Sequence, residues 1–182
     1  MKKKLLIASA ATLSIGLAIG ALAHSGATGI VKERMHGMMM MGKSMKSIAM
    51  MVKGVKEYDA DTMKAAAAAI EQHSGENLTK LFPKDGKKQK VSEAKDEIWT
   101  NWEEFVALSM RLQILSQGLA ASAEKGIGGD SASMTGSSSM MGNSMSGETL
   151  TMEMMADMSP DKIFPMIADT CSSCHTKFRA EK

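Results

Sequence analysis

Cys171-Ser172-Ser173-Cys174-His175-Thr176-Lys177-Phe178-Arg179 is the stretch from which the rest of this chain is best read. A C-x-x-C-H run offers two thiols that add across the two vinyl groups of a haem, and an adjacent imidazole that binds its iron. The spacing has a physical reason. On a helix, positions i, i+3 and i+4 share one face, so both sulfurs and the imidazole meet the same porphyrin. A thioredoxin-type dithiol needs a strand-helix-strand context, and nothing here reads as strand. A zinc site needs two more good ligands, while His24, His36 and His73 form no matching pair. A disulfide across two residues would be strained and would leave His175 without a role. With two cysteines in the whole chain, the reading is one haem c per chain, attached through Cys171 and Cys174.

Working back from the motif, its helix must hold Met166 to Phe178. It is entered through Ser159-Pro160-Asp161 or restarts at Pro165. A proline deep inside a helix loses a hydrogen bond and clashes with the preceding turn, so the reading favours a start near Pro165, with the earlier turn as a separate piece. Before it, residues 126–159 form a Met/Ser/Gly-rich insert. Its Ser/Gly half, around Ser131 to Gly147, is composed like a flexible connection, and Met152 to Met158 suits a short amphipathic helix. A third helix begins near Ser92 and runs to about Lys125, with Ile98, Trp99, Trp102, Phe105, Val106, Leu112, Leu115 and Leu119 as its apolar face. Leu78 to Lys90 reads as a loop carrying Phe82-Pro83, Asp85-Gly86 and five lysines. A second helix spans about Ala60 to His73, with Asp59 among its cap candidates and Gly75 as its stop. The first, from Thr28 to about Lys53, repeats Val31, Met35, Met38, Gly42, Met45, Ala49 and Val52 at spacings of four and three, the mark of one helical face.

Composition agrees: 182 residues with 20 Met, 3 Pro and 7 aromatics favour helix over sheet. A net charge of +2 lacks the clustered basic excess of a nucleic-acid binder. Met1-Lys2-Lys3-Lys4, the uncharged run Leu5 to Ala23 and the ending Ala21-Leu22-Ala23 form a secretory signal, residues 1–23, cut after Ala23; the competing reading is an uncleaved anchor. Cleavage removes three lysines, turns the net charge slightly negative and leaves an exported, periplasmic protein with no membrane attachment. Residues 24–182, less the insert, have the size of an all-α antiparallel four-helix bundle.

Attachment of haem at the carboxyl-terminal end of such a bundle resembles the class II cytochromes c, the cytochrome c′ family. Cys171 to Arg179 is similar to that family's terminal motif, including Phe178 three and Arg179 four residues beyond the histidine. Leu81-Phe82-Pro83, Ile98-Trp99 with Phe105, and Arg34 in the first helix also fit. The resemblance implies that Arg34 lies near the haem propionates and that the residue four positions on, Met38, stands over the iron. Members with an apolar residue there bind small gases; members with methionine are six-coordinate, low-spin and carry electrons. Related bundles often dimerise through their first two helices, so a homodimer is an expectation of the resemblance.

Helical geometry is compatible with that assignment, since Met38 falls on the inner face one turn after Arg34. Met38 as core filler, with Met41 or Met45 as ligand instead, stays open. His36 lies about 200° round the helix from Met38 and should face elsewhere. Arg179 lies one turn beyond His175, Trp99 packs on the haem or its neighbours, and either could equally be ordinary surface or core. The leading function is a periplasmic electron carrier serving other redox proteins, with His175 and Met38 on the iron and no enzymatic activity. An open or displaceable sixth position would instead bind nitric oxide or carbon monoxide. A third reading gives the insert's thioethers (Met134, Met140, Met141, Met145, Met152, Met154, Met155 and Met158) a Cu(I) role.

Overall fold

A computed structural model describes residues 27–83, 92–128 and 150–180. The signal segment 1–23, the lysines at 84–90 and the Ser/Gly stretch with Met134, Met140, Met141 and Met145 lie outside the described residues. The helices are α1 (Gly29–Val52), α2 (Ala60–Gln72), α3 (Glu76–Thr79), α4 (Glu97–Thr100), α5 (Trp102–Ser122), α6 (Met152–Asp157) and α7 (Pro160–Phe178), with a 3₁₀ turn at Ala123–Lys125. The long ones, α1, α2, α5 and α7, make a four-helix bundle. Among the described residues the extended pairing is a single antiparallel bridge, Ala94 to Arg179.

Local chemistry explains the first two helices. Gly54, at φ +67°, closes α1 in a Schellman arrangement: its N–H donates to Met51 O at 3.0 Å and that of Val55 to Met50 O at 2.9 Å, which satisfies carbonyls the helix end would orphan. Asp59 then caps α2, accepting from the Thr62 N–H at 2.6 Å. Gly75, at φ +60°, turns the chain hard against α5, where its N–H and carbonyl bond Ser109 O and Ser109 Oγ, both at 3.0 Å. A Cβ there would lie 2.0 Å from Gln113 Oε1.

Four expectations need correction. The stretch from Leu78 opens helically, since α3 and the turns to Phe82 bury Leu78 and Phe82. The third helix does not begin at Ser92. Residues 93–95 run extended beside the end of α7, α4 is one turn, and Asn101 (φ −122°, ψ 46°) separates it from α5. The Asn101 side-chain amide donates to Glu97 O at 3.3 Å, the local competition that makes asparagine a poor helix interior. The last helix starts at Pro160, with Pro165 inside it. Proline suits a first helical position, buried Ile163 holds that first stretch against the bundle, and the exposed Pro165 leaves the missing donor's partner open to water. Finally, the buried side of α1 is Arg34, Gly37, Met41, Ser44, Ile48 and Met51 with Val31, rotated from the stripe expected. Val31, Met35, Met38 and Gly42 of the expected stripe line a cavity described below, while Met45 and Val52 pack against the core.

The core sits between α1, α2, α5 and α7. Ile48, Met63, Ile70, Leu119, Ile163 and Ile167 are fully buried, each worth roughly 1.5–3 kcal/mol of burial. The carboxyl-terminal end of the insert belongs to this core. Thr151 caps α6 by accepting from Met154 N–H at 3.2 Å, and fully buried Met155 packs on α5 where Gly118 leaves room; a Cβ there would stand 2.6 Å from Met155 Sδ.

Candidate functional site

Between α1, the 92–98 segment and the end of α7 lies a cavity of about 930 Å³. Val31, Arg34, Met35, Met38 and Gly42 line it from α1, which is the expected apolar stripe with Arg34 at its edge. Phe82, Glu93, Ala94, Ile98 and Phe105 form further walls, and Cys174, His175, Phe178 and Arg179 close it from α7. A smaller cavity of about 130 Å³ lies among Met41, Met45, Leu108, Leu112, Thr170 and Cys171. Met38, Gly42, Cys174 and His175 line both. The motif and Met38 therefore meet at one place, with Met41 and Met45 on the smaller cavity's side.

The chemistry of the motif follows from its burial. Both cysteines are free and half-buried. Burial raises both thiol pKa values, and with Cys171 as neighbour Cys174 is pushed up to about 11. Both are protonated at neutral pH, which suits neither a thiolate nucleophile nor a dithiol redox centre. His175 is exposed, yet partial desolvation and Arg179 push its pKa down against the opposing pull of Glu93, a direction that favours the neutral, metal-ligating imidazole.

Arg34 is buried within α1, its guanidinium 4.3 Å above the Phe82 ring. Its Nε is a buried donor with no partner, a deficit of roughly 1–3 kcal/mol for an unmade hydrogen bond, and burial lowers its pKa. An anionic group in the cavity would supply the acceptor. A haem carries carboxylates. The larger cavity supplies apolar walls, the Cys174 thiol, the His175 imidazole and this orphaned donor, and the adjoining smaller cavity adds the Cys171 thiol, so the residues fit that group. Arg179 already has a carboxylate: its Nε donates to Glu93 Oε2 at 2.9 Å, half-exposed at the cavity rim.

Trp99 is not among the lining residues. Its Nε1 donates to Pro83 O at 3.0 Å and its ring lies 6.3 Å from Phe82, which does line the cavity. Sequence reading missed Glu93 and Ala94, brought in by backbone pairing with no side-chain signature. His36 also departs from expectation. It stands at the rim of the larger cavity and its ring meets that of His73.

The family model described as Cytochrome C′ matches residues 29–147. A "Cytochrome c-556" from Agrobacterium tumefaciens (strain B2A) is 40% identical over 83 residues, which are 44% of this chain and 64% of that protein. The match thus spans less than two thirds of that relative. Similar solved structures include cytochrome c′ from Thermochromatium tepidum, at TM-score 0.58 and 22% identity over 84% of this chain and 95% of that one. Cytochrome c′ from Rhodopseudomonas palustris superposes at TM-score 0.59 and 22% identity, covering 86% and 99%. A nitric oxide complex of a cytochrome c prime variant from Alcaligenes xylosoxidans gives 0.58 and 19%, covering 84% and 94%. At these identities the structures speak for the fold. No described helix is long and apolar enough to cross a membrane.

Proposed function

This chain belongs to the cytochrome c′ family, and from that premise we propose that it is a periplasmic monohaem electron carrier, with haem c joined to Cys171 and Cys174 and iron bound by His175 and Met38. The observation that carries the reading is the meeting of Met38, Cys174 and His175 on both cavities. When bound, the haem supplies a one-electron ferric–ferrous couple. His175 offers a neutral nitrogen. Met38 offers a soft thioether, a ligand type that favours the ferrous state and raises the potential. Arg34 offers its unpartnered Nε to a propionate, and Phe82, Phe105 and Phe178 give the site apolar walls. Met38 on α1 and His175 on α7 would hold the iron from two packed helices, an arrangement that would keep reorganisation small. The exchange is with other redox proteins of the periplasm, and no substrate is turned over.

Gas binding is the second reading. Structures of the same fold from Alcaligenes xylosoxidans hold nitric oxide, and a displaceable Met38 would serve the same purpose here. Absorption spectra of the oxidised and reduced protein, with and without carbon monoxide, separate the two. A low-spin ferric spectrum with the weak near-red sulfur-to-iron band, unchanged by carbon monoxide and lost in Met38→Ala, is the expected result. A high-spin spectrum that shifts with carbon monoxide overturns the carrier reading in favour of gas binding. A low-spin spectrum that survives Met38→Ala moves the ligand to another methionine.

A further inference from the structure

Arg34 and Arg179 both line the larger cavity, and they differ in what they already hold. Arg34 is buried and its Nε has no partner. Arg179 stands half-exposed at the rim, with its Nε donating to Glu93 Oε2 at 2.9 Å. A guanidinium engaged by a carboxylate of its own chain has its charge offset and a donor spent before any anion enters the cavity.

Main-chain bonds put the two partners there. Ala180 N–H donates to Glu93 O at 2.7 Å, Lys95 N–H donates to Phe178 O at 2.9 Å, and Ala94 is bridged to Arg179. Arg179 N–H donates in turn to His175 O at 3.0 Å. Lys95 Nζ adds a bond to Thr176 O at 3.1 Å, so the segment grips the turn of α7 that carries His175. A partly exposed pair of this kind adds little to stability; what it fixes is where two opposite charges stand. His175 feels both, pushed down by Arg179 and up by Glu93.

We propose that Glu93 is a positioning residue for the haem's one-electron couple: it holds the Arg179 guanidinium at the rim, leaves the cavity's anionic groups to Arg34, and keeps the reduction potential below the value that an unpaired Arg179 would set. The inference rests on haem occupying this cavity, as proposed above, and is independent of the sixth ligand. Its sign follows from charge. Ferrous iron carries one positive charge fewer than ferric, so a cation brought closer, or an anion removed, favours the ferrous form.

The test is a spectroelectrochemical titration of the haem-loaded protein as wild type, Glu93→Gln, Arg179→Gln and the double variant. Glu93→Gln is expected to move the ferric–ferrous equilibrium constant about two- to fivefold toward ferrous, the scale of one charge felt through a largely aqueous rim. Arg179→Gln is expected to move it the other way, and in that background the logarithmic effect of Glu93→Gln falls to roughly half or less, because Glu93 then has no guanidinium to hold. Glu93→Asp, which keeps the charge, is expected to recover most of the wild-type value. Far-UV circular dichroism checks that each variant is folded. A readout apart from the potential is the Arg179 Nε–H resonance of reduced protein carrying isotope-labelled arginine, whose exchange with water is expected to quicken in Glu93→Gln. An unchanged potential in Glu93→Gln, an equal Glu93→Gln effect with and without Arg179, or unaltered exchange would each overturn the proposal. Wild type purified without haem would overturn the functional reading along with it, whereas those three results in haem-loaded protein overturn this inference alone.

Discussion

The bundle holds two hydrophobic clusters that differ in kind. One is aliphatic and methionine-rich, built by successive turns of long helices: Ile48, Met51, Met63, Ile70, Leu119, Met155, Ile163 and Ile167 among others. The other is mostly aromatic and gathers pieces that are hardly helices at all: Leu78 from one-turn α3, Phe82 from the turn after it, Ile98 from one-turn α4, and Phe105 and Phe178 from helix ends. Its rings meet edge to face, Phe82 to Phe105 at 4.9 Å and Phe105 to Phe178 at 5.5 Å, within the separations such pairs prefer. The first cluster holds the bundle together. The second walls the cavity and carries Arg34 over Phe82. Met38 and the two cysteines stand at the junction: Met38 packs against both clusters, Cys171 against the first and Cys174 against the second.

The largest expected effect separates the two regions completely. Replacing Cys171 and Cys174 together with alanine abolishes covalent haem, read as loss of haem-dependent peroxidase stain on a denaturing gel. The aliphatic cluster keeps its helical circular dichroism. Next comes a matched pair of core changes. Ile163→Ala, in the first cluster, should lower unfolding free energy in urea by about 2–5 kcal/mol while the reduction potential of the folded protein stays put. Phe105→Leu, in the second, should lose only about 1 kcal/mol and yet move that potential. Equal shifts in potential from the two would end the division of labour drawn here.

A smaller effect tests how far the aliphatic cluster extends into the insert. Gly118→Ala forces a methyl against Met155, and overpacking of this sort lowers stability by about 1–3 kcal/mol. Met155→Ala in the same chain should relieve the crowding, so the double-mutant cycle returns a coupling of opposite sign to the single losses. Additive losses would mean that α6 does not seat on α5. The smallest effect lies at the mouth of α2. Hydrogen bonds from Thr62 hold the Asp59 carboxyl below the usual carboxylate range. A group depressed in the folded state stabilises above its unfolded pKa and loses that contribution as pH falls through its folded value. Thermal melts across the acid range should therefore show a decline in wild type that Asp59→Ala, already lower at neutral pH, lacks in part.

Legibility in sequence follows the same division. The limits of α1 and α2 could be read to within a residue or two because their signals are local: Gly54 and Asp59 act on backbone groups a few positions away. The C-x-x-C-H run is equally local, since its thiols and imidazole lie within five consecutive residues. What escaped depends on distant partners. Residues 93–95 left the helical pattern because their backbone pairs with 178–180, and no local propensity announces such a pairing. Pro165 was overruled by the burial of Ile163 and Ile167 on either side of it. The apolar stripe of α1 divides: Val31, Met35, Met38 and Gly42 line the cavity, while Met45 and Val52 pack against the core. Beside it, Gly37 and Ser44 are buried because small residues let helices approach, a property no hydrophobic pattern registers. The pairing of His36 with His73 was invisible until two helices were side by side.

The seam between 93–95 and 178–180 has a further consequence, for how this protein tolerates change. Lys95 N–H donates to Phe178 O at 2.9 Å and Ala180 N–H to Glu93 O at 2.7 Å. Both bonds are main chain to main chain, so any residue other than proline at 95 or 180 keeps them. The wall they build is therefore indifferent to the side chains hung on it. Glu93 and Arg179, an ion pair at the rim, can change charge together, retuning the electrostatic surroundings of His175 while the boundary of the cavity stays where it is.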